Sequence, residues 1–246
     1  MIFSEVLNDL GKIVFPPRCP GCSEILYPFT GQIFCCACND NIKFIKGDIC
    51  SICGTPFPDS PAENHLCGEC LEKKPYFSYA RAVFSYENII LNAIHQFKYK
   101  RDMSIGKIMS SFMADFSYPD IDLTDYSLII PVPLHIKRLR ERGFNQSLIL
   151  ARAVGKKRKI PVDFSMLKRH KFTITQTGLN KHERKQNIKG AFEISDKKKI
   201  HGKNVILVDD VYTTGATVNE CAKTLLQEGA QKISVLTLAR VLPNYI

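Results

Sequence analysis

Thirteen consecutive residues, Val205-Ile-Leu-Val-Asp209-Asp210-Val-Tyr-Thr213-Thr214-Gly215-Ala216-Thr217, hold the densest chemistry in the chain. Four apolar residues read as a buried parallel strand, with Asp209 and Asp210 where it ends. Thr213 to Thr217 form a small hydroxyl-rich loop. An apolar-periodic run through Val218, Cys221, Ala222 and Leu225 to Gly229 then predicts a helix. A strand, such a loop and a helix start together make an anion site. Backbone N–H groups and the positive end of the helix dipole point into the loop, and Thr213, Thr214 and Thr217 add hydroxyl donors. Gly215 lets the backbone approach a phosphate closely. The two carboxylates add acceptors for a sugar diol, or oxygens near a magnesium ion. Paired acids ahead of a helix also cap N-termini, but capping needs one acid and no hydroxyl loop.

Nine of the ten cysteines fall between residues 19 and 70, and eight of them form four C-x-x-C pairs, Cys19/Cys22, Cys35/Cys38, Cys50/Cys53 and Cys67/Cys70. Each pair brings two thiolates to one metal, and two pairs complete a closed tetrahedral site. Twelve residues separate the first two pairs and thirteen the last two, which fits two successive zinc ribbons. Sequential pairing makes Cys19, Cys22, Cys35 and Cys38 one ligand set and Cys50, Cys53, Cys67 and Cys70 the other. Spacing alone leaves interleaved pairing open. Disulfides would call for an oxidising compartment, and iron–sulfur runs are spaced differently. Pro20-Gly21 and Gly54 supply tight turns. Cys36 adjoins a ligand, His65 lies near Cys67 and Cys221 falls at a core-facing phase, but four thiolates already satisfy each site. A segment this small buries little apolar area, so two structural zinc ions are expected to supply much of its stability.

The elements that position these groups follow from periodicity. With 45% hydrophobic and 24% charged residues, the 246-residue chain suits one sizeable domain with an ordinary core plus a small module. No apolar run reaches spanning length, which argues against membrane insertion. The start, Met1-Ile-Phe-Ser-Glu-Val-Leu-Asn-Asp, carries acids where a secretory signal carries bases, so a cytoplasmic location is expected. Leu7, Leu10, Ile13 and Val14 mark one face of an amphipathic helix within 1–18. The ribbon segment follows over 19–72, Lys73-Lys74-Pro75 reads as a linker, and the larger domain spans 78–246. In it, Tyr79 to Tyr86 alternates as a strand, residues 87–99 have helical periodicity, and a second helix runs from Ile105 to Phe116. Ser127 to Pro133 is an apolar strand ended by prolines. A helix from Asn145 to Val154, a strand near Val162–Phe164 and a last strand over Ile233–Arg240 complete the alternation. Strands alternating with helices predict a parallel α/β sheet, with ligands at the carboxyl ends of its strands.

Charge is unevenly placed. Residues 135–203 carry 20 Lys/Arg against 5 Asp/Glu, although the whole chain is only +10. Such a block reads as a surface for phosphate-rich partners, with pyrophosphate and nucleic acid both candidates. Lys156–Lys159 and Lys197–Lys199 read as solvated loop tips. Lys137, Arg138 and Arg140 are the candidate DNA contacts, and Phe144, Phe164 and Phe172 are aromatics inside or near the block that more often pack cores than stack bases. Arg142, between a strand end and a helix start capped by Asn145, offers a guanidinium fork to pyrophosphate. Gln176 to Phe192 is polar, poorly periodic and glycine-bearing, as a loop closing over a substrate would be.

Residues 205–217 resemble, at all thirteen positions, the phosphoribosyl-pyrophosphate (PRPP) signature of the type I phosphoribosyltransferases. Phe97-Lys98-Tyr99, Arg142-Gly-Phe-Asn-Gln146 and the stretch from Gln176-Thr-Gly-Leu179 to Arg184 and Asn187 occur with the cysteine pairs in the order that resembles the ComF/GntX family. In that family a double zinc ribbon precedes a phosphoribosyltransferase domain. The resemblance implies an α/β type I phosphoribosyltransferase fold behind an N-terminal double ribbon. It implies that Asp209 and Asp210 hold the ribose hydroxyls and that Thr213, Thr214, Gly215, Ala216 and Thr217 wrap the ribose phosphate. Arg142 and Arg184 are the candidate pyrophosphate contacts, with Mg2+ accompanying PRPP. If the chain catalyses, Asp209, Asp210 and Arg184 are the catalytic set, acting while a nitrogen nucleophile displaces pyrophosphate at the anomeric carbon. The family resemblance further implies uptake of external DNA in natural transformation, with handling of internalised single strands in the cytoplasm beside proteins such as a DNA-uptake helicase. Three readings follow from this, namely a PRPP-binding DNA-handling protein, an active transferase with an unidentified nitrogen acceptor, and a non-catalytic PRPP sensor.

Overall fold

The computed structural model describes residues 16–27, 33–57, 65–100, 102–171 and 181–243. The amphipathic helix expected near the N-terminus, Phe172 and the Gln176–Asn180 part of the expected loop lie outside the described residues. In chain order the elements are α1 (Cys36–Asp40), α2 (Gly68–Glu72), β1 (Tyr79–Ser85), α3 (Asn88–Tyr99), α4 (Met103–Asp115), β2 (Leu128–Pro131), α5 (Ile136–Arg142) and α6 (Gln146–Arg158). They continue with β3 (Leu167–Arg169), α7 (Lys181–Ile188), β4 (Phe192–Ile194), β5 (Asn204–Tyr212), α8 (Ala216–Gln227) and β6 (Lys232–Arg240).

The main sheet is parallel throughout, in the order β1-β6-β5-β2. Its central strands are apolar on both faces, as burial under helices on both sides requires. Ile206 and Val208 pack with α3, α4 and α6, whereas Val205 and Leu207 pack with α8. Apart from the strand expected near Val162–Phe164, the expected helices and strands of this sheet are present with ends shifted by a few residues. One shift matters. The signature strand does not stop at Val208 but continues past both acids to Tyr212, because β6 keeps pairing with it as far as Tyr212 opposite Arg240.

Other differences have local causes. The strand expected near Val162–Phe164 is reduced to one bridge between Val162 and Ile129. Asp163 accepts hydrogen bonds from the N–H groups of Ser165 (2.8 Å) and Met166 (3.0 Å), and this turn ends the extended stretch. An antiparallel pair, β3 with β4, follows instead. The segment between the proline-ended strand and Asn145 contains α5, whose start is capped by His135 Nδ1 on Lys137 N–H at 3.2 Å. The expected substrate-closing loop is helical over its Lys181–Ile188 part. The Lys197–Lys199 tip is a short 3-10 turn, with Lys197 paired to Glu228 at 2.8 Å. Among the described residues no helix is long and apolar enough to cross a membrane.

The cysteine-rich segment shares the core of the sheet. Cys19 and Cys38 pack in one cluster with Phe84 and Ile90, and Cys50, Cys53 and Cys70 pack in the other with Phe77, Ala80 and Tyr212. The first knuckle sits on α3, where Gln96 donates to the Pro20 carbonyl (2.8 Å) and Asn92 to the Gly21 carbonyl (2.9 Å). The Cys50–Cys53 turn is held by Arg81 of β1, only 2% exposed, which donates to the carbonyls of Ser51 (2.9 Å) and Ile52 (3.2 Å) and pairs with Asp120 at 2.7 Å. Gly54 makes this docking possible. Its φ is +72°, and a methyl group there would overlap the Ala80 carbonyl oxygen. Gly54→Ala is therefore expected to lower unfolding stability by about 2 kcal/mol or more. Gly68→Ala, in open space at the start of α2, should stay within about 0.5 kcal/mol. Urea denaturation of the two variants checks this, and equal midpoints would contradict it.

Candidate functional site

The extension of β5 carries Asp209 and Asp210 to the carboxyl end of the sheet, where successive side chains reach different helices. Asp209 Oδ1 accepts from the Ser147 hydroxyl of α6 at 2.9 Å and from the Asp210 backbone N–H at 2.9 Å. Asp210 Oδ1 pairs with Lys98 Nζ of α3 at 2.9 Å, with both side chains largely buried. The start of α6 is fixed by Asn145, as its cap position predicts. Its side chain accepts from Ser147 N–H at 3.0 Å and donates to the Val132 carbonyl at 3.1 Å, tying the helix to the end of β2.

Electrostatics follow from this packing. Burial first, and then the adjacent Asp210 carboxylate, push Asp209 up to about 7, against the opposing hydrogen bonds and Lys98. Burial pulls the Lys98 ammonium down, yet Asp210, Tyr86 and Asp209 hold it above its ordinary value. The site thus holds two neighbouring acids, one clamped by an ammonium and the other poised to gain or lose a proton.

Behind the acids, residues 213–217 enter α8. Gly215 has φ +70° and lies against the Tyr212 ring, so any side chain there would collide with the phenol. Thr214 Oγ1 accepts from Ala216 N–H at 3.4 Å, and Gly215 itself offers no side-chain cap to the first turn of α8. Arg142, at the end of α5, donates to Gln146 Oε1 at 3.2 Å and stands 5.5 Å above the Tyr99 ring. Gln146 is 1% exposed and its Nε2 has no hydrogen-bond partner among the described residues. Lys137 and Arg140 are exposed on α5, and Arg138 is half-buried. Arg184 falls on α7, but its side chain lies outside the described residues.

Sequence reasoning missed three groups. Ser147 and Lys98 act as partners of the acids, and Arg169 of β3 is drawn into the same neighbourhood. Burial, then Arg138, lowers the Arg169 pKa, while Cys221 and Asp209 oppose that shift. Lys98 belongs to the Phe97-Lys98-Tyr99 motif, but its pairing depends on α3 lying across β5, which no local signal announces.

The thiols converge as two sequential sets. Cys19, Cys22, Cys35 and Cys38 form one cluster and Cys50, Cys53, Cys67 and Cys70 the other, with ligand atoms within 4.8 Å of one another in each. Backbone N–H groups of Cys35 and Cys67 point at Cys19 Sγ and Cys50 Sγ, both at 3.4 Å, as they do when a thiolate needs orienting. Four convergent thiols with such donors suit a tetrahedral zinc ion. Cys36 is exposed outside these clusters, Cys221 is buried with its pKa raised by burial, and His65 stacks on Phe57 at 4.0 Å.

The Asp209 geometry has a pH signature. A carboxyl raised from 3.8 to about 7 keeps its proton in the native state while the unfolded chain releases it. The stability it contributes is complete below about pH 4 and lost as pH rises through about 7. Wild type should therefore lose stability relative to Asp209→Asn across that window, and carbon-detected NMR should show one carboxyl titrating near neutrality. Lys98→Met should move that titration upward. Asp209 titrating near its ordinary 3.8 in wild type, with no carboxyl titrating near neutrality, would contradict the geometry.

Comparison with known proteins agrees with this architecture. The double zinc ribbon domain matches residues 10–71, and the phosphoribosyl transferase domain matches residues 145–243. Competence protein F of Haemophilus influenzae is 32% identical over 221 residues, covering 84% of this chain and 96% of that protein. DNA utilization protein YhgH of Escherichia coli is 34% identical over 212 residues, covering 85% of this chain and 90% of that protein. Competence protein ComFC of Bacillus subtilis is 30% identical over 220 residues, covering 84% of this chain and 83% of that protein. With two four-cysteine clusters built onto a parallel sheet that ends in the acid pair and its hydroxyl loop, the chain belongs to the ComF/GntX family of double zinc ribbon phosphoribosyltransferase-domain proteins.

Proposed function

We propose that this protein binds PRPP at the ends of β5 and α8 and handles internalised single-stranded DNA in the cytoplasm during DNA uptake. The observation that carries the PRPP half is the Asp209–Asp210 pair, braced by Ser147 and Lys98 directly before the glycine-bearing loop. The DNA half rests on relatives named competence and DNA utilization proteins.

In this reading Asp209 and Asp210 accept hydrogen bonds from the ribose hydroxyls, and residues 213–217 take the 5′-phosphate on N–H and hydroxyl donors at the start of α8. Arg142 and Arg184 contact the pyrophosphate. Magnesium bound with PRPP would neutralise pyrophosphate charge. Two zinc ions, on Cys19, Cys22, Cys35, Cys38 and on Cys50, Cys53, Cys67, Cys70, hold the ribbons closed. Lys137 and Arg140, exposed on α5 with Arg138 beside them, suit the phosphates of a single strand, where a partner such as a DNA-uptake helicase would deliver it.

A transferase reading differs only in the last step. A nitrogen acceptor forms a bond to the anomeric carbon as the bond to the pyrophosphate oxygen breaks, and the acceptor's proton leaves to solvent or a base. The acid pair, held beside the ribose, would then also stabilise the positive charge developing on the ring. Pyrophosphate release in the presence of candidate bases separates this reading from a PRPP sensor, which releases none.

Two outcomes test the proposal. Asp209→Asn with Asp210→Asn should weaken PRPP binding by about a hundredfold or more while the circular dichroism spectrum is kept, and unchanged affinity would remove the assignment. Reversing charge at Lys137, Arg138 and Arg140 should weaken single-strand binding. It should also reduce the slope of log affinity against log salt by about one for each phosphate no longer neutralised. An unaltered slope would rule this surface out.

A further inference from the structure

Arg240, the last residue of β6, is a charged side chain only 5% exposed. Its Nη1 donates to the Cys53 carbonyl and its Nη2 to Thr55 Oγ1 at 2.7 Å. The Thr55 hydroxyl is 3.1 Å from Cys53 Sγ, so the guanidinium grips the turn that carries one sulfur of the second cluster. On its other side the guanidinium lies 4.4 Å above the Tyr212 ring. The two residues are direct partners in the β5–β6 register, which sets that stacking. Tyr212 in turn occupies the space beside Gly215 that a side chain would need. Cysteine turn, guanidinium, phenol and loop glycine thus form one contiguous stack.

We propose that Arg240 and Tyr212 are positioning residues through which metal at Cys50, Cys53, Cys67 and Cys70 holds residues 213–217 in their anion-binding shape. The inference rests on the PRPP reading for its ligand, but the coupling itself concerns only the loop and the second ribbon. Two physical arguments carry it. The two terminal nitrogens of Arg240 donate to acceptors that keep their places only while the Cys50–Thr55 turn is closed. A zinc ion held by four thiolates is also a net dianion, which gives a buried guanidinium its counter-charge. Opening the cluster removes both, the guanidinium leaves the ring, and Tyr212 is free to move away from Gly215. The reverse effect follows from linkage, so ligand on the loop raises the equilibrium metal affinity of the second cluster by the same factor.

The test is amide hydrogen exchange of the full zinc-replete chain, read by mass spectrometry over residues 50–70 and 212–218. Arg240→Met should keep two zinc ions per chain while exchange at 212–218 rises about tenfold and PRPP affinity falls about tenfold. Tyr212→Phe, which keeps the ring under the guanidinium, should stay within about threefold of wild type in both. Arg240→Met with wild-type exchange at 212–218 and two zinc ions would overturn the coupling. If that variant does not fold, chelation of wild type decides. Exchange at 212–218 must rise as 50–70 open, and an unmoved loop overturns the proposal. If wild type binds no PRPP at all, the PRPP reading fails, while the exchange measurements still decide the coupling.

Discussion

Two carboxylates on adjacent residues at the end of a buried strand repel each other and resist burial, and the surrounding structure is arranged to hold them there. Asp210 is balanced by the Lys98 ammonium, and Asp209 is held by a hydroxyl and a backbone N–H. The side-chain partners come from different helices, so the acids also fix how α3 and α6 meet the sheet. The balance is incomplete, with two acids set against one ammonium. That residue of unsatisfied acceptor strength is what a ligand rich in hydroxyls would use, since hydrogen bonds to ionised acceptors are stronger than those between neutral groups.

The ribbons serve the same end from the opposite direction. The first knuckle grips α3 through Gln96 and Asn92, on the helix that also carries Lys98. The Cys50–Thr55 turn grips β1 through Arg81 and β6 through Arg240. Small cysteine-rich modules cannot bury enough apolar area to fold alone, and here they instead share both hydrophobic clusters of the sheet. The boundary at residues 73–77 is therefore one of sequence character more than of packing.

Much of this architecture is legible in the amino-acid sequence. Period-two and period-3.6 patterns locate the sheet and its main helices, the C-x-x-C spacing locates the clusters, and Asn145 announces a cap. What stays hidden is set by partners distant in sequence. Asp209 and Asp210 read as the end of a strand because polarity ends the apolar run, yet hydrogen bonding to β6 carries the strand on to Tyr212. Arg240 reads only as the end of the last strand, and the docked ribbon is what shows that it is buried. Helix α5, Ile136-Lys-Arg-Leu-Arg-Glu-Arg142, is too short and too charged to show a stripe, so its caps at His135 and Gly143 define it. Helix α7 has the same difficulty, with Ile188 its buried anchor.

In the proposed function the acid pair and the loop behind it form a live PRPP site. Calorimetric titration of the zinc-replete protein with PRPP, with and without magnesium, tests it most directly. Magnesium-dependent binding of one PRPP per chain in the micromolar range, about −8 kcal/mol, is expected. Absence of binding under both conditions would contradict it, leaving the acid pair and its loop as a retained scaffold.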